Sequence, residues 1–488
     1  MKWQGTIWAL VFALALCVPG VGAQEQQQDS QPASPTSNAN SGGGDEYSKQ
    51  PVAAARGVYP EYASQASNPA QIVPDTNPLS GVQLFGVGSP GYARNILEPS
   101  LSVSELGQTF SGTTGQSNLG SETIFSGILN FNRTWSRYHL TTIYNGGGTY
   151  SGGSLTPYST TFSQYHDLSV SQQIDWERWR LLLRDDFMAS PGAAFTGTGM
   201  GGPGLMAETS SFLNSSLSSI GQTFIPGESI ETGTGMRYRD AVLGEAQYSV
   251  SRRSALTFTG SYGLLHFTDA GYVNNQMLNA QAGYDYLLDP KNSIAILAGY
   301  GKIDYSGTTG GTTDYMAALA YGRKITGRLA FQVGAGPQQV RESGGTGNFQ
   351  VWLPSVNSAL TYERRRSGAS LTYVSGVSSG SGVFLGAKTN TVSGSTHYRF
   401  TRFWTGAVSG GYAMNNSLAP AGAATTSFSD WFTGANLGRQ VGSYARINFN
   451  YGLQRQNSPT VCPVANCGTP GYQQTFGMTV NWHLRPAA

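Results

Sequence analysis

From about residue 100 to the C-terminus, apolar and polar side chains alternate with a period of two. In the last such run, YQQTFGMTVNWHL, Tyr472, Phe476, Met478, Val480, Trp482 and Leu484 share one face. Gln473, Thr475, Gly477, Thr479, Asn481 and His483 share the other. The preceding segment sets Ala445, Ile447, Phe449, Tyr451 and Leu453 against Arg446, Asn448, Asn450, Gly452 and Gln454. Such a period predicts extended strands with one face on an apolar medium and the other on a polar one. Similar runs recur at Leu256–Leu264, Leu278–Leu288, Ile294–Tyr305, Tyr315–Tyr321, Leu329–Ala335, Leu371–Val377 and Val392–Phe400.

The links between runs decide what kind of sheet this is. Short, charged or turn-forming links fall at Trp135–Tyr138, Asp175–Arg178, Ser251–Ser254, Asp289–Asn292, Thr326–Arg328, Arg364–Gly368, Thr401–Phe403 and Gln440–Ser443. Longer Gly/Ser/Thr/Pro loops near 151–158, 189–232, 269–273, 307–312, 343–347, 382–386, 417–424 and 458–469 alternate with them. Short turns on one side and long loops on the other are the plan of a barrel in a bacterial outer membrane, and strands of this length suit a tilted crossing of a bilayer. Eight short turns join sixteen strands, and residues 470–484 add another. With both termini on the short-turn side a first strand is also needed, for which Ser100–Ser111 is the candidate. The expectation is an all-β fold, a single transmembrane antiparallel up-and-down β-barrel over 99–488 of about 18 strands. The alternative is 16, if the weakly patterned segments 100–111 and 159–174 are irregular.

Composition supports this reading. Charged residues make up 11% of the chain, net charge is +2, and Gly numbers 65 in 488. So little charge argues against a helix-rich cytosolic enzyme. The absence of an apolar run of 18 or more argues against a bundle of membrane helices. A near-neutral balance gives no electrostatic case for nucleic acid.

The chain before the strands is different material. Residues 1–23 read as a secretory signal peptide, with Lys2, an apolar run Ile7–Val18, a Pro19-Gly20 break and small residues Gly22-Ala23 before Gln24. Residues 24–98 form a low-complexity segment expected to be disordered and periplasmic. Within it the more apolar stretch 79–99 is either a plain linker or a piece that docks on the barrel or in its mouth. Cys462 and Cys467, in VCPVANCG, are disulfide candidates in an oxidising exported compartment; a metal site is the rival, although no further Cys or His accompanies them.

The last strand resembles the C-terminal signal of bacterial outer-membrane barrels. Its polar-x-Gly-x-x-apolar-x-aromatic pattern is met by Thr475, Gly477, Val480 and Trp482, and it departs from that pattern in the tail His483–Ala488. The resemblance is to porin-like barrels as a class. It implies residence in the outer membrane of a diderm bacterium, among outer-membrane lipid, after recognition by the barrel-assembly machinery. It also implies a third external loop that folds inward to constrict the pore, and here that loop, 189–232, is much the longest. An external cap is the other reading of the loop.

Eighteen strands enclose more space than side chains fill, so a channel or a plugged lumen is expected. Phase with the apolar face makes Arg237, Arg239, Glu245, Asp285, Asp314, Arg399, Asp430 and Arg446 the candidate lumen-facing charges. Both signs occur, which argues against a strongly ion-selective ring, and pairing that holds the wall in shape is the plainer role. Catalysis finds no support. His139, His166, His266, His397 and His483 are scattered, and Gly376–Gly380 matches G-x-S-x-G without a strand-turn-helix context. The G-x-G-x-x-G matches at Gly86–Gly91 and Gly199–Gly204 sit in loops without a βαβ unit. Neither a metal nor a cofactor is expected. Three functions remain open: a porin-like channel for small hydrophilic solutes such as saccharides, a conduit for polysaccharide export, and a structural or adhesive surface barrel without an open pore. A homotrimer and a monomer both fit this composition.

Overall fold

The computed structural model describes residues 79–80, 96–112, 117–153, 162–191, 236–307, 310–343, 348–382, 384–420, 426–457 and 471–484. Its strands are β1 (Ile96–Gly112), β2 (Ser117–Trp135), β3 (Tyr138–Gly153), β4 (Phe162–Asp175), β5 (Trp179–Pro191), β6 (Met236–Ser251), β7 (Ser254–Phe267), β8 (Asn275–Asp289) and β9 (Asn292–Tyr305). They continue as β10 (Gly311–Thr326), β11 (Leu329–Ser343), β12 (Phe349–Arg364), β13 (Ser367–Ser378), β14 (Ala387–Arg399), β15 (Trp404–Ser417), β16 (Ser427–Val441), β17 (Ala445–Asn457) and β18 (Gly471–His483). Each pairs antiparallel with its neighbours in sequence, and β1 pairs with β18 from Ser100↔His483 to Gly112↔Gly471. The sheet is therefore a closed ring of 18 strands with no free edge. The segments that left 16 open are regular: β1 starts earlier than its apolar pattern, at Ile96, and β4 covers Phe162–Asp175.

Four of the eight short turns share a device. The residue opening the turn turns its side chain onto backbone amides that the ladder leaves unpaired. Asp289 Oδ1 accepts from the N–H groups of Lys291 at 2.7 Å and Asn292 at 3.0 Å. Thr326 Oγ1 accepts from Arg328 and Leu329, Thr401 Oγ1 from Phe403 and Trp404, and Ser251 Oγ from Arg253. Local chemistry thus sets these four hairpins, and a hairpin fixes the register of its two strands.

Strict alternation gives the wall two surfaces. On β8, Leu278, Tyr284, Tyr286 and Leu288 are exposed, whereas Asn275, Met277, Gln281 and Asp285 are buried. Outward aliphatic side chains stand bare, Leu319 at 67% and Ile296 at 62% exposure, on a surface that water would not tolerate and lipid would. Aromatic rings collect toward both ends of that surface, several beneath arginines: Arg133 over Trp135, Arg439 over Trp404 and Arg402 over Phe403 at the short-turn end, Arg341 over Tyr315 and Arg455 over Tyr472 at the other. At about 4.8 Å between strands and a tilt near 40°, eighteen strands close at a diameter of about 35 Å, too wide for wall side chains to fill.

The two ends differ in charge. The eight short turns contain nine cations, Arg137, Arg178, Arg252, Arg253, Lys291, Arg328, Arg365, Arg366 and Arg402, against one carboxylate, Glu177. The nine longer connections contain no Lys or Arg at all.

Candidate functional site

The interior wall is where the sequence-predicted charges gather. Register puts Arg237, Arg239 and Glu245 on one face of β6, with Met188 of β5 opposite Arg239 and Thr259 of β7 opposite Glu245. The Arg237 guanidinium lies 5.3 Å from the Phe267 ring centroid, and Thr259 Oγ1 donates to Glu245 at 3.4 Å. Asp314 accepts from Gln338 Nε2 at 2.8 Å and Asp430 from Gln454 Nε2 at 3.1 Å. Arg446 reaches over Gly438, where a Cβ would lie 2.4 Å from its guanidinium, to donate to Thr405 on β15 at 2.8 Å. Arg399 stands opposite Thr405 in the β14–β15 register. Asp285 is engaged by Ser80 of the N-terminal segment.

Several interior groups escaped the sequence reading, Asp167 of β4 and Glu342 of β11 among them. Arg184 and Asp186 form a salt bridge at 2.7 Å, 2% and 7% exposed, beside Ser169 and Ser171 of β4. Glu122 accepts from Gln108 Nε2 at 2.9 Å. Phase along LLLRDDFM places Arg184 and Asp186 on the buried side with Leu182 and Met188, so the signal was present and unread. A pattern runs through these contacts. Apart from the Arg184–Asp186 pair, Glu122, Glu245, Asp285, Asp314 and Asp430 have amides and hydroxyls among their partners, whereas Asp167 lies in the field of Arg239 and Arg184.

The long-loop end is narrowed by the β13–β14 connection. Gly382 O accepts from Val273 N at 2.9 Å, and a Cβ on Gly382 would meet the Phe267 ring of β7 at 2.5 Å. Phe384 packs edge-on against Phe428 of β16, centroids 5.2 Å apart. Gly386 O accepts from Leu418 N, and a Cβ on Gly386 would touch Thr312 of β10. Since β7 and β16 are nine places apart in a ring of 18, this connection reaches opposite sides of the mouth. Gly380, Gly382 and Gly386 have φ of +78°, +74° and +91°, which only Gly adopts without strain. These positive-φ glycines are the signal a sequence could have offered, but Gly is too frequent here for it to stand out.

Other predicted positions fall as follows. Loop 189–232 lies outside the described residues from 192 onward, as do Cys462, Cys467 and residues 1–78. Of the C-terminal quartet, Thr475 is buried, Gly477 faces Leu106 across the closing seam, Val480 pairs with Val103, and Trp482 is 58% exposed opposite Leu101. The histidines stay apart: His166 bonds Tyr144, His266 stacks near Tyr238, His139 pairs with Asp175 and His397 with Glu363, while His483 ends β18. The G-x-S-x-G match runs out of β13 into the mouth connection, where a single 3-10 turn, Gly380–Gly382, follows in place of an α-helix.

No family model matches the chain, and no curated protein matches it. Solved structures similar to it include OpdQ of Pseudomonas aeruginosa, with a TM-score of 0.39 and 10% identity over 80% of this chain and 99% of that one. OccK2 (OpdF) of the same organism, in complex with glucuronate, has a TM-score of 0.39 and 11% identity over 80% and 98%. OccAB2 of Acinetobacter baumannii has a TM-score of 0.40 and 8% identity over 80% and 98%. At TM-scores below 0.5 these likenesses carry no functional argument, and what the chain does is read from its own closed eighteen-strand barrel.

Proposed function

We propose that the chain is an outer-membrane channel through which small hydrophilic solutes, saccharides among them, diffuse. The observation that carries this is the interior surface, on which carboxylates are held by Gln, Ser and Thr. Carboxylate lone pairs accept from hydroxyls, neighbouring amides donate to them, and neither fixes a net charge on the solute. A polyhydroxylated neutral molecule matches that lining. Charges of both signs along the wall, Arg184, Arg237, Arg239, Arg399 and Arg446 among them, fit weak ion selectivity.

The exposed aliphatic belt fits lipid, and the pattern of β18 fits recognition by the barrel-assembly machinery after export on a cleaved signal peptide. The chain then sits in the outer membrane with its short turns in the periplasm. A homotrimer is one assembly the surface permits. The test is swelling of proteoliposomes loaded with an impermeant polymer and diluted into isosmotic sugars. Entry of mono- and disaccharides faster than of matched charged solutes is expected. Vesicles that swell in no solute would overturn the reading and leave a structural or adhesive barrel. Passage restricted to long glycans, with loss of surface polysaccharide on deletion, would replace it with export.

A further inference from the structure

Several stretches of the interior wall are apolar, and one of them has a described cover. On β9, Ile294 and Ile296 face out, yet Ala295 and Leu297 on the interior side are also apolar and are 3% and 6% exposed. Ala320 of β10 joins them. Aliphatic side chains lining a wet lumen would be unfavourable, and here they are not wet. Leu79, 2% exposed, packs against Ala295, Leu297 and Ala320, with Ala318 alongside.

The polar half of the contact is as complete. Ser80 N–H donates to Asp285 Oδ1 at 3.1 Å, its hydroxyl donates to the other oxygen of the same carboxylate, and its carbonyl accepts from Gln281 Nε2 at 2.5 Å. Both backbone groups and the side chain of Ser80 are thereby satisfied by two residues of β8. The wall is also hollowed to admit the dipeptide. A Cβ at Gly283 would lie 2.1 Å from Ser80 Cβ, and one at Gly322 would lie 3.0 Å from Leu79 Cδ2. Glycine at both positions, a matched carboxylate–amide pair between and an aliphatic floor below are three features of a built pocket, each from a different strand or pair of strands.

The place of this pocket on the ring gives it a consequence. The chain enters the sheet at Ile96 on β1, and β10 is the ninth strand from β1 in either direction round eighteen. Leu79 and Ser80 are thus held at the wall opposite the strand they lead into. We propose that the interior face of β8, β9 and β10 is a binding site for the chain's own N-terminal segment, which inserts Leu79–Ser80 as a tethered ligand and so occupies part of the lumen. The site stands on these contacts alone; its effect on conduction rests on the channel reading above.

The test uses the full-length protein in detergent and in bilayers, in a background with Cys462→Ser and Cys467→Ser. Ser80→Cys combined with Asp285→Cys should form a disulfide in barrels that retain heat-modifiable gel migration, and Ser80→Cys combined with Ser409→Cys, on β15, should not. Failure of the first pair to cross-link in folded barrels overturns the site, whatever the conductance. Leu79→Asp, which alters the ligand and not the wall, and Gly283→Leu, which fills the pocket, should each raise single-channel conductance. A turn of chain about 10 Å across, as at Leu79–Ser80, in a lumen narrower than the ~35 Å ring puts the rise at roughly 1.5-fold or more. Conductance equal to wild type in both variants overturns the occupancy of the lumen. Cross-linking in a barrel that never conducts upholds the site and overturns the channel instead.

Discussion

Replacing Phe384 by Ala should loosen the connection that narrows the long-loop mouth. Phe384 is 6% exposed and meets Phe428, itself 0% exposed, in an edge-to-face contact with interplanar angle 70°. Truncating a buried Phe costs about 3–5 kcal/mol where the cavity cannot collapse. The connection is also held by Leu385, packed against Met277, Ile303 and Tyr305, and by hydrogen bonds from Val273 to Gly382 and from Leu418 to Gly386, each worth about 1 kcal/mol net. The aromatic pair exceeds the two hydrogen bonds together. Its loss should shift the equilibrium between held and released connection by roughly 10²–10³-fold, at 1.4 kcal/mol per decade. Single-channel recording is the assay: F384A should show larger steps with added open-state noise, while heat-modifiable migration of the barrel is unchanged. Steps and noise identical to wild type would show that this connection does not set the constriction and would move it elsewhere, loop 189–232 being the first place to look.

Three further outcomes are expected. Leu319→Arg, on the most exposed part of the apolar belt, should destabilise the barrel by about 2–4 kcal/mol in urea titrations from lipid vesicles, while Ser409→Arg on the lumen face should cost far less; equal costs would mean the faces are misassigned. Arg184→Met strands the Asp186 carboxylate and should cost about 3–5 kcal/mol in the same titration, most of it recovered in the double variant Arg184→Met/Asp186→Leu. Neutralising Arg252, Arg253, Arg365 and Arg366 to Gln should lower anion preference in reversal potentials at 0.01 M salt, where screening reaches about 30 Å, and change nothing at 1 M, where it reaches about 3 Å; a shift that persists at 1 M would place those charges in the pore rather than at its rim.

Much of the architecture was legible because a membrane barrel writes itself in period two and in the contrast between turns and loops. All eight short turns fall where SRRS, DPKN, RRRSG and their counterparts stand, and in four of them a Ser, Thr or Asp side chain caps the turn. The strand count was harder at β1 and β4. SLSVSELGQTFS sets small Ser and Gly where apolar side chains would announce a face, and only closure against β18 makes its pattern meaningful.

The interior was legible as a face but not as a set of contacts. Alternation assigns Asp314 and Asp430 a side; it does not say that Gln338 and Gln454, 24 residues away in each case, stand beside them. Those partners follow from register, which single strands do not encode. Leu79 and Ser80 were less legible still, lying in a stretch that a linker would equally explain. What betrays their site is on β9 and β10, where ILAG and MAALA are apolar on both faces, a pattern that a strand between lipid and water should not have. The anomaly reads as noise until something is found to cover it.

The account stands or falls on an open, polar, weakly selective lumen. Planar-bilayer recording of the purified protein, with saccharides titrated on either side, measures that directly. Discrete open-channel steps, little preference between cation and anion at high salt, and concentration-dependent block by a neutral sugar are the predicted result. A folded, heat-modifiable barrel that produces no conductance steps at all would contradict it.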